Sequence, residues 1–210
     1  MKKTLLVLIA SVVLLATAGN AQEDLRNSVT FGVKAGLNLS NVYDTDDETF
    51  DADAKLGLAA GIFVTVPLGP HFGIHPEILF SQKGFKATGS FLGSSYTFTR
   101  TLNYIDIPLL LAFKPSEMFT IVAGPQYSYL LSRKDVFTNS FLDIENEDEF
   151  HNESLRKNTI CLLGGFDVNI NRIVIGARAG FDLYENDGEG SSTSPRYKNI
   201  WYQATIGFRI

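Results

Sequence analysis

The chain contains repeated stretches of about ten residues in which apolar and polar side chains alternate. The last stretch, residues 198–210, shows the pattern most clearly. One face would carry Ile200, Tyr202, Ala204, Ile206, Phe208 and Ile210, and the other Trp201, Gln203, Thr205, Gly207 and Arg209. Because side chains of an extended chain point alternately to opposite sides, this period of two predicts a β-strand with one apolar face.

The same alternation predicts eight strands in all. They cover residues 29–39, 57–66, 72–86, 100–113, 119–131, 159–170, 173–184 and 198–210. The connections are alternately long and short, and the long ones are 41–55, 87–97, 132–158 and 185–197. Barrels of outer membranes have even strand numbers, short periplasmic turns and long extracellular loops. We therefore predict an eight-stranded antiparallel up-and-down transmembrane β-barrel in the outer membrane of a Gram-negative bacterium.

The direction of the apolar face needs a second observation. Five aromatic residues lie on that face at the short-turn ends of their strands: Phe31, Phe72, Phe113, Phe119 and Phe208. Aromatic side chains gathered at one level are typical of a membrane interface, so we expect this face to meet lipid. The inverted arrangement stays open at this point, a soluble periplasmic barrel that binds an apolar ligand in a greasy centre.

The opposite face carries four charges of each sign. These are Lys34, Lys83, Arg178 and Arg209 with Glu77, Asp106, Asp167 and Asp182. An eight-stranded barrel is only wide enough for its own side chains to fill it. We therefore expect an interior polar network in which paired charges plug the barrel.

The N-terminus predicts a cleaved signal peptide. Lys2 and Lys3 precede an apolar run at residues 5–15, and small residues lead to Ala21. This pattern is typical of secretory leaders. We expect cleavage after residue 21, which leaves one barrel domain at residues 22–210. Without the two leader lysines the charge is 16 − 23 = −7, which argues against nucleic acid as a partner.

The last strand also predicts how the barrel is inserted. Apolar residues at its last, third-last and fifth-last positions, Ile210, Phe208 and Ile206, resemble the signal that guides outer-membrane barrels into the bilayer. In a closed barrel this strand pairs with the first strand and removes both sheet edges. The expected partners are therefore the barrel-assembly machinery during insertion and outer-membrane lipid afterwards.

Three prolines lie inside predicted strands, where proline removes a ladder hydrogen bond. We expect Pro76, Pro108 and Pro125 to mark β-bulges, with a change of side-chain parity after Pro108. The single cysteine, Cys161, cannot form an internal disulfide and is expected to be a packed residue.

One group of residues raises the alternative of a lipid-modifying enzyme. His75, Glu77 and Ser81 share one face of the third strand. Neighbouring side chains on that face are about 7 Å apart, longer than a hydrogen bond between a base and a nucleophile. A structural polar network is the favoured interpretation.

No catalytic residue, metal site or cofactor is predicted. Neither His71 nor His151 has a second histidine at metal-ligand spacing. The acidic segment 44–53 lacks the order of an EF-hand loop, so we expect it to be a solvated loop.

Several segments, taken in order, resemble the PorT-like family of outer-membrane barrels. They are 31–41 (FGVKAGLNLSN), 76–84 (PEILFSQKG), 102–111 (LNYIDIPLLL), 124–131 (GPQYSYLL) and 176–183 (GARAGFDL). The resemblance implies a small, non-enzymatic outer-membrane barrel. It further implies a structural, interaction or secretion-accessory role with a possible protein partner at the external loops, because the family's namesake assists a protease-exporting secretion system. Ile210 stands where such barrels more often end in phenylalanine.

Overall fold

The structure is a computed structural model that describes residues 25–44, 52–91, 94–139, 142–148, 156–186 and 197–210. The predicted signal peptide lies outside the described residues. The strands are β1 (Thr30–Asp44), β2 (Ala52–Pro67), β3 (Phe72–Phe91), β4 (Ser94–Phe113), β5 (Phe119–Asn139), β6 (Leu142–Asp148), β7 (Asn158–Ile170), β8 (Ile173–Asp182) and β9 (Tyr197–Arg209). A 3-10 turn at Leu25–Asn27 precedes them. Among the described residues, no helix is long and apolar enough to cross a membrane.

Eight of these strands close into an antiparallel barrel. The order is β4-β3-β2-β1-β9-β8-β7-β5, and the pairing of β4 with β5 completes the ring. The first and last strands pair from Gly32↔Arg209 to Asp44↔Tyr197. The predicted up-and-down topology is confirmed, with strand bounds that differ mainly at the long-loop end.

The apolar face is on the outside, as predicted. Leu111 is 67% exposed and Ile206 is 62% exposed, whereas Glu77 and Lys83 on the opposite face are at most 2% exposed. An apolar exterior can be kept from water only by a partner such as lipid. The inverted interpretation, with a greasy centre, is therefore wrong.

The exterior changes from apolar to polar partway up the wall. Phe80 still faces outward, but two residues further along β3 the exterior carries Gln82, which bonds Asn103 of β4 at 3.0 Å. Asn103 in turn donates to Ser132 of β5 at 2.9 Å. This polar row is expected to mark the upper limit of the lipid-facing band.

Above that row, β3, β4 and β5 continue and are joined by β6, and three pairs between β2 and β3, from Ala52↔Ala87 to Ala54↔Phe85, hold this extension to the barrel. We call it the upper sheet and define it as residues 82–91 of β3, 94–103 of β4, 132–139 of β5, and all of β6. Ten further residues of strand extend about 25 Å beyond the band once strand tilt is allowed for. The prediction of loops at 87–97 and 132–158 is wrong for the parts that form these strands.

The three prolines do not mark bulges. The pairs Pro76↔Leu109, Pro108↔Gln126 and Pro125↔Leu162 keep the register of the neighbouring pairs. Burial still alternates through residue 112, so the expected parity change after Pro108 is also wrong. Each proline lacks only an N–H, and a local gap in the ladder on one side accommodates that loss without an inserted residue.

The two register shifts lie nearer the upper end of the barrel. One is between Ala54 and Ala59 of β2, and the other is between Asn103 and Tyr104 of β4. At the second shift Leu131 of β5 is the extra residue, because Asn103 pairs with Ser132 and Tyr104 pairs with Leu130. The β5 bulge therefore falls where the wall passes from the lipid-facing band to the upper sheet.

Candidate functional site

The lower interior is organised around the carboxylate of Glu77. It accepts hydrogen bonds from Lys34 of β1 and Arg178 of β8. The Nη2 of Arg178 also contacts both carboxylate oxygens of Asp167 on β7, at 3.1 and 3.2 Å. His75 Nε2 lies 3.0 Å from the Oε1 of Glu77. Four strands thus bring two cations and two carboxylates together across the lumen.

His75 is held on both sides of its ring. Its Nδ1 is 2.8 Å from the hydroxyl of Thr65, and its ring stacks on Phe63 at 5.2 Å between centroids. The Ser81 hydroxyl accepts from the amide of Asn38 at 2.9 Å. Although neighbouring positions on one face of a strand are about 7 Å apart, the side chain of His75 is long enough to contact Glu77. Among the described contacts, however, no base-to-nucleophile bond joins His75 to Ser81.

A second charged group lies higher in the lumen. The Nζ of Lys83 is 3.0 Å from Asp106 Oδ2 and 3.7 Å from the centre of the Trp201 ring. Lys83 also lies 4.9 Å from the Tyr104 ring. All four side chains are almost completely buried. The ammonium therefore has both an ionic partner and aromatic faces, which attract cations through their quadrupoles.

The two remaining predicted charges do not form ion pairs within the described residues. Asp182 accepts from the backbone N–H of Asn199 at 3.1 Å and from the thiol of Cys161 at 3.1 Å. Arg209 donates to the side-chain oxygen of Asn169 at the short-turn end. Neutral donors and acceptors replace the ionic partners that the sequence led us to expect for these two residues.

Two aromatic levels mark the outside of the wall. At the short-turn end, Phe31 and Phe72 are 57% and 59% exposed, and Phe72 packs against Phe113 at 5.3 Å. Phe119 stacks on Phe166 at 5.5 Å and Phe208 is half-buried. The exposed aromatics toward the long-loop end are Phe181 and four tyrosines: Tyr43, Tyr127, Tyr184 and Tyr202. Amphipathic tyrosine rings fit the level of lipid headgroups.

The predicted insertion signal lies on the outer face of the closing strand. Ile206 is 62% exposed and Ile210 is 80% exposed, and Phe208 lies between them on the same face. The N–H of Ile210 donates to the carbonyl of Phe31 at 2.8 Å. This bond belongs to the β1–β9 seam that closes the barrel.

The upper sheet carries a third cluster around Arg100. Its guanidinium donates to both oxygens of Asp135 at 2.8 Å each and to the Tyr197 hydroxyl at 3.1 Å. It also lies over the rings of Phe98 and Phe85, at 5.3 and 5.9 Å. Burial raises the pKa of Tyr197, which lies above the lipid-facing band. The bidentate pair joins β4 to β5, and the contacts of Tyr197 with Arg100 and Phe85 attach this part of the sheet to β9.

Sequence reasoning missed several members of these clusters. Thr65 shares the inward parity of its strand, so alternation could have included it. The sequence did place His75 and Trp201 on the inward faces of their strands, but it did not pair them with the charged residues that they contact. Arg100 and Asp135 were assigned to the end of a strand and to a loop, so their pairing had no signal. Within the described residues, no group of three or more His, Cys, Asp or Glu side chains could hold a metal ion.

Comparison with known proteins identifies the family. The family model for the outer membrane protein beta-barrel domain matches residues 20–209. The chain belongs to this family. Its place is accordingly the outer membrane of a Gram-negative bacterium. No curated protein sequence matches the chain.

Solved structures of outer-membrane barrels are similar at low identity. Ail of Yersinia pestis, in complex with the heparin analogue sucrose octasulfate, is 13% identical, with 87% of this chain and 99% of that chain covered and a TM-score of 0.48. Neisserial surface protein A is 9% identical, with 86% and 97% covered and a TM-score of 0.46. OprG from Pseudomonas aeruginosa is 14% identical, with 88% and 97% covered and a TM-score of 0.38.

Proposed function

We propose that the protein is a non-enzymatic outer-membrane barrel with a plugged interior, which acts through its upper sheet and external loops. The role is structural, interaction or secretion-accessory, as the PorT-like resemblance implies. The barrel-assembly machinery would insert it, lipid would surround it, and a protein partner would meet its external end. Nucleic acid is not an expected partner.

The observation that carries this proposal is the contrast between the two ends of the wall. The lumen at mid-height is filled by Lys83, Tyr104 and Trp201, each at most 1% exposed. The strands of the upper sheet, by comparison, extend well past the 9–11 residues that a spanning strand requires. Strand residues outside the membrane are not needed to cross it, so they support a role for this end of the barrel beyond spanning the membrane.

Genetic truncation separates this proposal from its rivals. One strain lacks the gene, a second carries a barrel whose upper sheet is shortened at residues 87–98 and 133–157, and a third carries Glu77→Gln. We expect the shortened barrel to reach the outer membrane but to reproduce the deletion phenotype, including any change in secreted proteins. Glu77→Gln should complement the deletion under growth conditions in which the variant barrel folds.

The opposite outcome would favour the enzyme alternative. If lipid A acylation changes in the deletion strain, and the shortened barrel restores it while His75→Ala does not, the function lies inside the barrel. A deletion phenotype that the shortened barrel fully complements would overturn the proposal.

A further inference from the structure

The outer face of the upper sheet is a polar surface on three paired strands. The pair of Arg100 and Asp135 lies on the inner face, where Arg100 contacts Tyr197, so the residues that alternate with this pair point outward. The register places the outward residues in four cross-strand rows. The rows are Gln82, Asn103 and Ser132; Gly84, Thr101 and Lys134; Lys86, Thr99 and Val136; and Thr88, Thr97 and Thr138. We call these twelve positions the outer polar face.

The side chains of the outer polar face offer hydroxyl, amide and ammonium groups. Five of the twelve residues are threonines and two are lysines, Val136 is the only large apolar residue, and none is acidic. The exposed side chains are those of Lys86, Thr88 and Thr138. At the two edges of the face, Asp53 of β2 and Glu147 of β6 are the backbone neighbours of the lysines. The face therefore combines many hydrogen-bonding groups with two cations.

The hydroxyl groups of this face are held at regular spacing. Threonine is β-branched, so its side chain has few rotamers. Successive outward residues of one strand are about 7 Å apart, and neighbours on adjacent strands are about 5 Å apart. Behind the face, Arg100 joins β4 to β5 through two hydrogen bonds of 2.8 Å to Asp135. A rigid array of donors and acceptors loses little conformational entropy when it binds a ligand.

The level of the outer polar face indicates what it contacts. Its lowest row, which contains Gln82 and Asn103, follows directly above the outward Phe80, so the face begins where the lipid-facing band ends. The outer leaflet of a Gram-negative outer membrane consists largely of lipopolysaccharide, in which anionic sugars lie directly above the lipid. Lysine side chains at a membrane surface attract anionic headgroups. The face is thus at the level of these sugars and has the opposite charge.

We infer that the outer polar face binds the inner-core sugars of lipopolysaccharide in the surrounding leaflet. The hydroxyl and amide side chains would exchange hydrogen bonds with sugar hydroxyls. Lys86 and Lys134 would contact the phosphates and carboxylates of the same sugars. The inference goes beyond the proposed function, because it concerns the leaflet around the barrel and holds whether or not a protein partner binds.

Two other occupants fit less well. The cores of protein interfaces are enriched in aromatic residues, Met and Arg and depleted in Lys and Ser. The outer polar face contains no residue of the enriched types. Acyl chains require an apolar surface, and Val136 is surrounded by polar residues. A sugar that carries both hydroxyls and anionic groups matches the whole face.

The test uses the full barrel in nanodiscs, with isotope-labelled threonine methyl groups. One set of nanodiscs contains lipopolysaccharide that ends after the inner core, a second contains lipid A without sugars, and a third contains phosphatidylglycerol. We expect the methyl NMR signals of Thr99 and Thr101 to shift only with the first. Native mass spectrometry after detergent extraction should likewise find the inner-core lipopolysaccharide bound to the barrel, and more of it than of lipid A.

Two variants separate the contributions of charge and of hydroxyl groups. One combines Lys86→Gln with Lys134→Gln, and the other combines Thr99→Val with Thr101→Val. Each should lower the amount of bound lipopolysaccharide at least about fivefold, because it removes two ionic contacts or two hydrogen-bonding groups. Both should keep the heat-modifiable folded band, since valine has the shape of threonine and favours strands equally.

The control variant removes the same charge elsewhere at the long-loop end. It replaces Lys157, which precedes β7, and Lys198 of β9 by Gln, and it should bind lipopolysaccharide like the native barrel. Three results would overturn the inference: equal methyl shifts with lipid A, equal shifts with phosphatidylglycerol, and equal loss of binding in the control. The first would place the contact at the lipid phosphates, and the other two would reduce it to general electrostatic attraction.

Discussion

Replacing Glu77 by Gln removes the shared acceptor of the lower interior network while keeping its size. Glu77 has no exposed side-chain surface and is bonded by both Lys34 and Arg178. Arg178 retains Asp167 at 3.1 Å in the variant. Lys34 forms its only ion pair within the described residues with Glu77, so it would become a buried ammonium without a counter-ion.

The expected cost follows from that single orphaned charge. Removing one partner of a buried ion pair typically costs about 3–5 kcal/mol. Because Arg178 keeps its second carboxylate, we count the cost once and expect the free energy of unfolding to fall by about 3 kcal/mol. Removing both charges, with Lys34→Met added to Glu77→Gln, should recover most of it and leave the barrel within about 1 kcal/mol of the native protein.

Urea unfolding in lipid vesicles, followed by the fluorescence of the only tryptophan, Trp201, measures these differences. The control is Glu117→Gln, since the Glu117 side chain is 44% exposed and lies 3.5 Å from Arg26. A surface pair of this kind contributes less than about 1 kcal/mol. If Glu77→Gln costs no more than the control, or if the double variant is less stable than Glu77→Gln alone, the paired network is not what stabilises the interior.

Three further outcomes are expected. Gly36→Ala should abolish the heat-modifiable folded band in semi-native electrophoresis, because a Cβ there would lie 1.9 Å from the carbonyl oxygen of Ala204. The control Gly164→Ala should fold normally, because its Cβ would meet nothing nearer than 3.8 Å. Ile206→Lys should lower the amount of protein in the outer membrane, as measured by fractionation, because it places a charge on the lipid face of the closing strand; normal levels would contradict its part in the insertion signal. Cys161 should resist maleimide until the barrel is unfolded, since it is fully buried, and fast labelling of the folded barrel would contradict the described interior.

The sequence predicted the parity of the wall because a membrane and a narrow lumen impose opposite demands on alternate residues. Ile105 and Ile107 had to face lipid, and Asp106 between them had to face inward. Parity places charges inside but says nothing about which ones meet. Glu77 contacts Arg178 across 101 positions, and only the strand order and register bring them together. The pairing of individual charges therefore could not be read from alternation.

The upper sheet was missed for a related reason. Outside the lipid-facing band neither face has to be apolar, so the alternation that marks a strand disappears. The tract Thr97-Phe98-Thr99-Arg100-Thr101 has β-branched and aromatic residues, which favour strands, but the surrounding Gly and Ser residues indicated a loop. β6 was hidden by its acidic composition, which is typical of solvated loops and equally typical of protected sheet edges.

The two ends of the wall place different constraints on any function. In the lumen, a solute would have to displace Lys83 from Asp106 and from the Trp201 ring. This would leave buried charges unpaired, so conduction would oppose the contacts that stabilise the barrel. The bilayer does not constrain the strands of the upper sheet. Ordering ten extra residues in each of β3 and β4 costs conformational entropy, and spanning the membrane does not offset this cost. Substitutions there should leave insertion undisturbed. Variants that lose function but keep a folded, outer-membrane barrel are therefore expected to cluster above the polar row of Gln82 and Asn103.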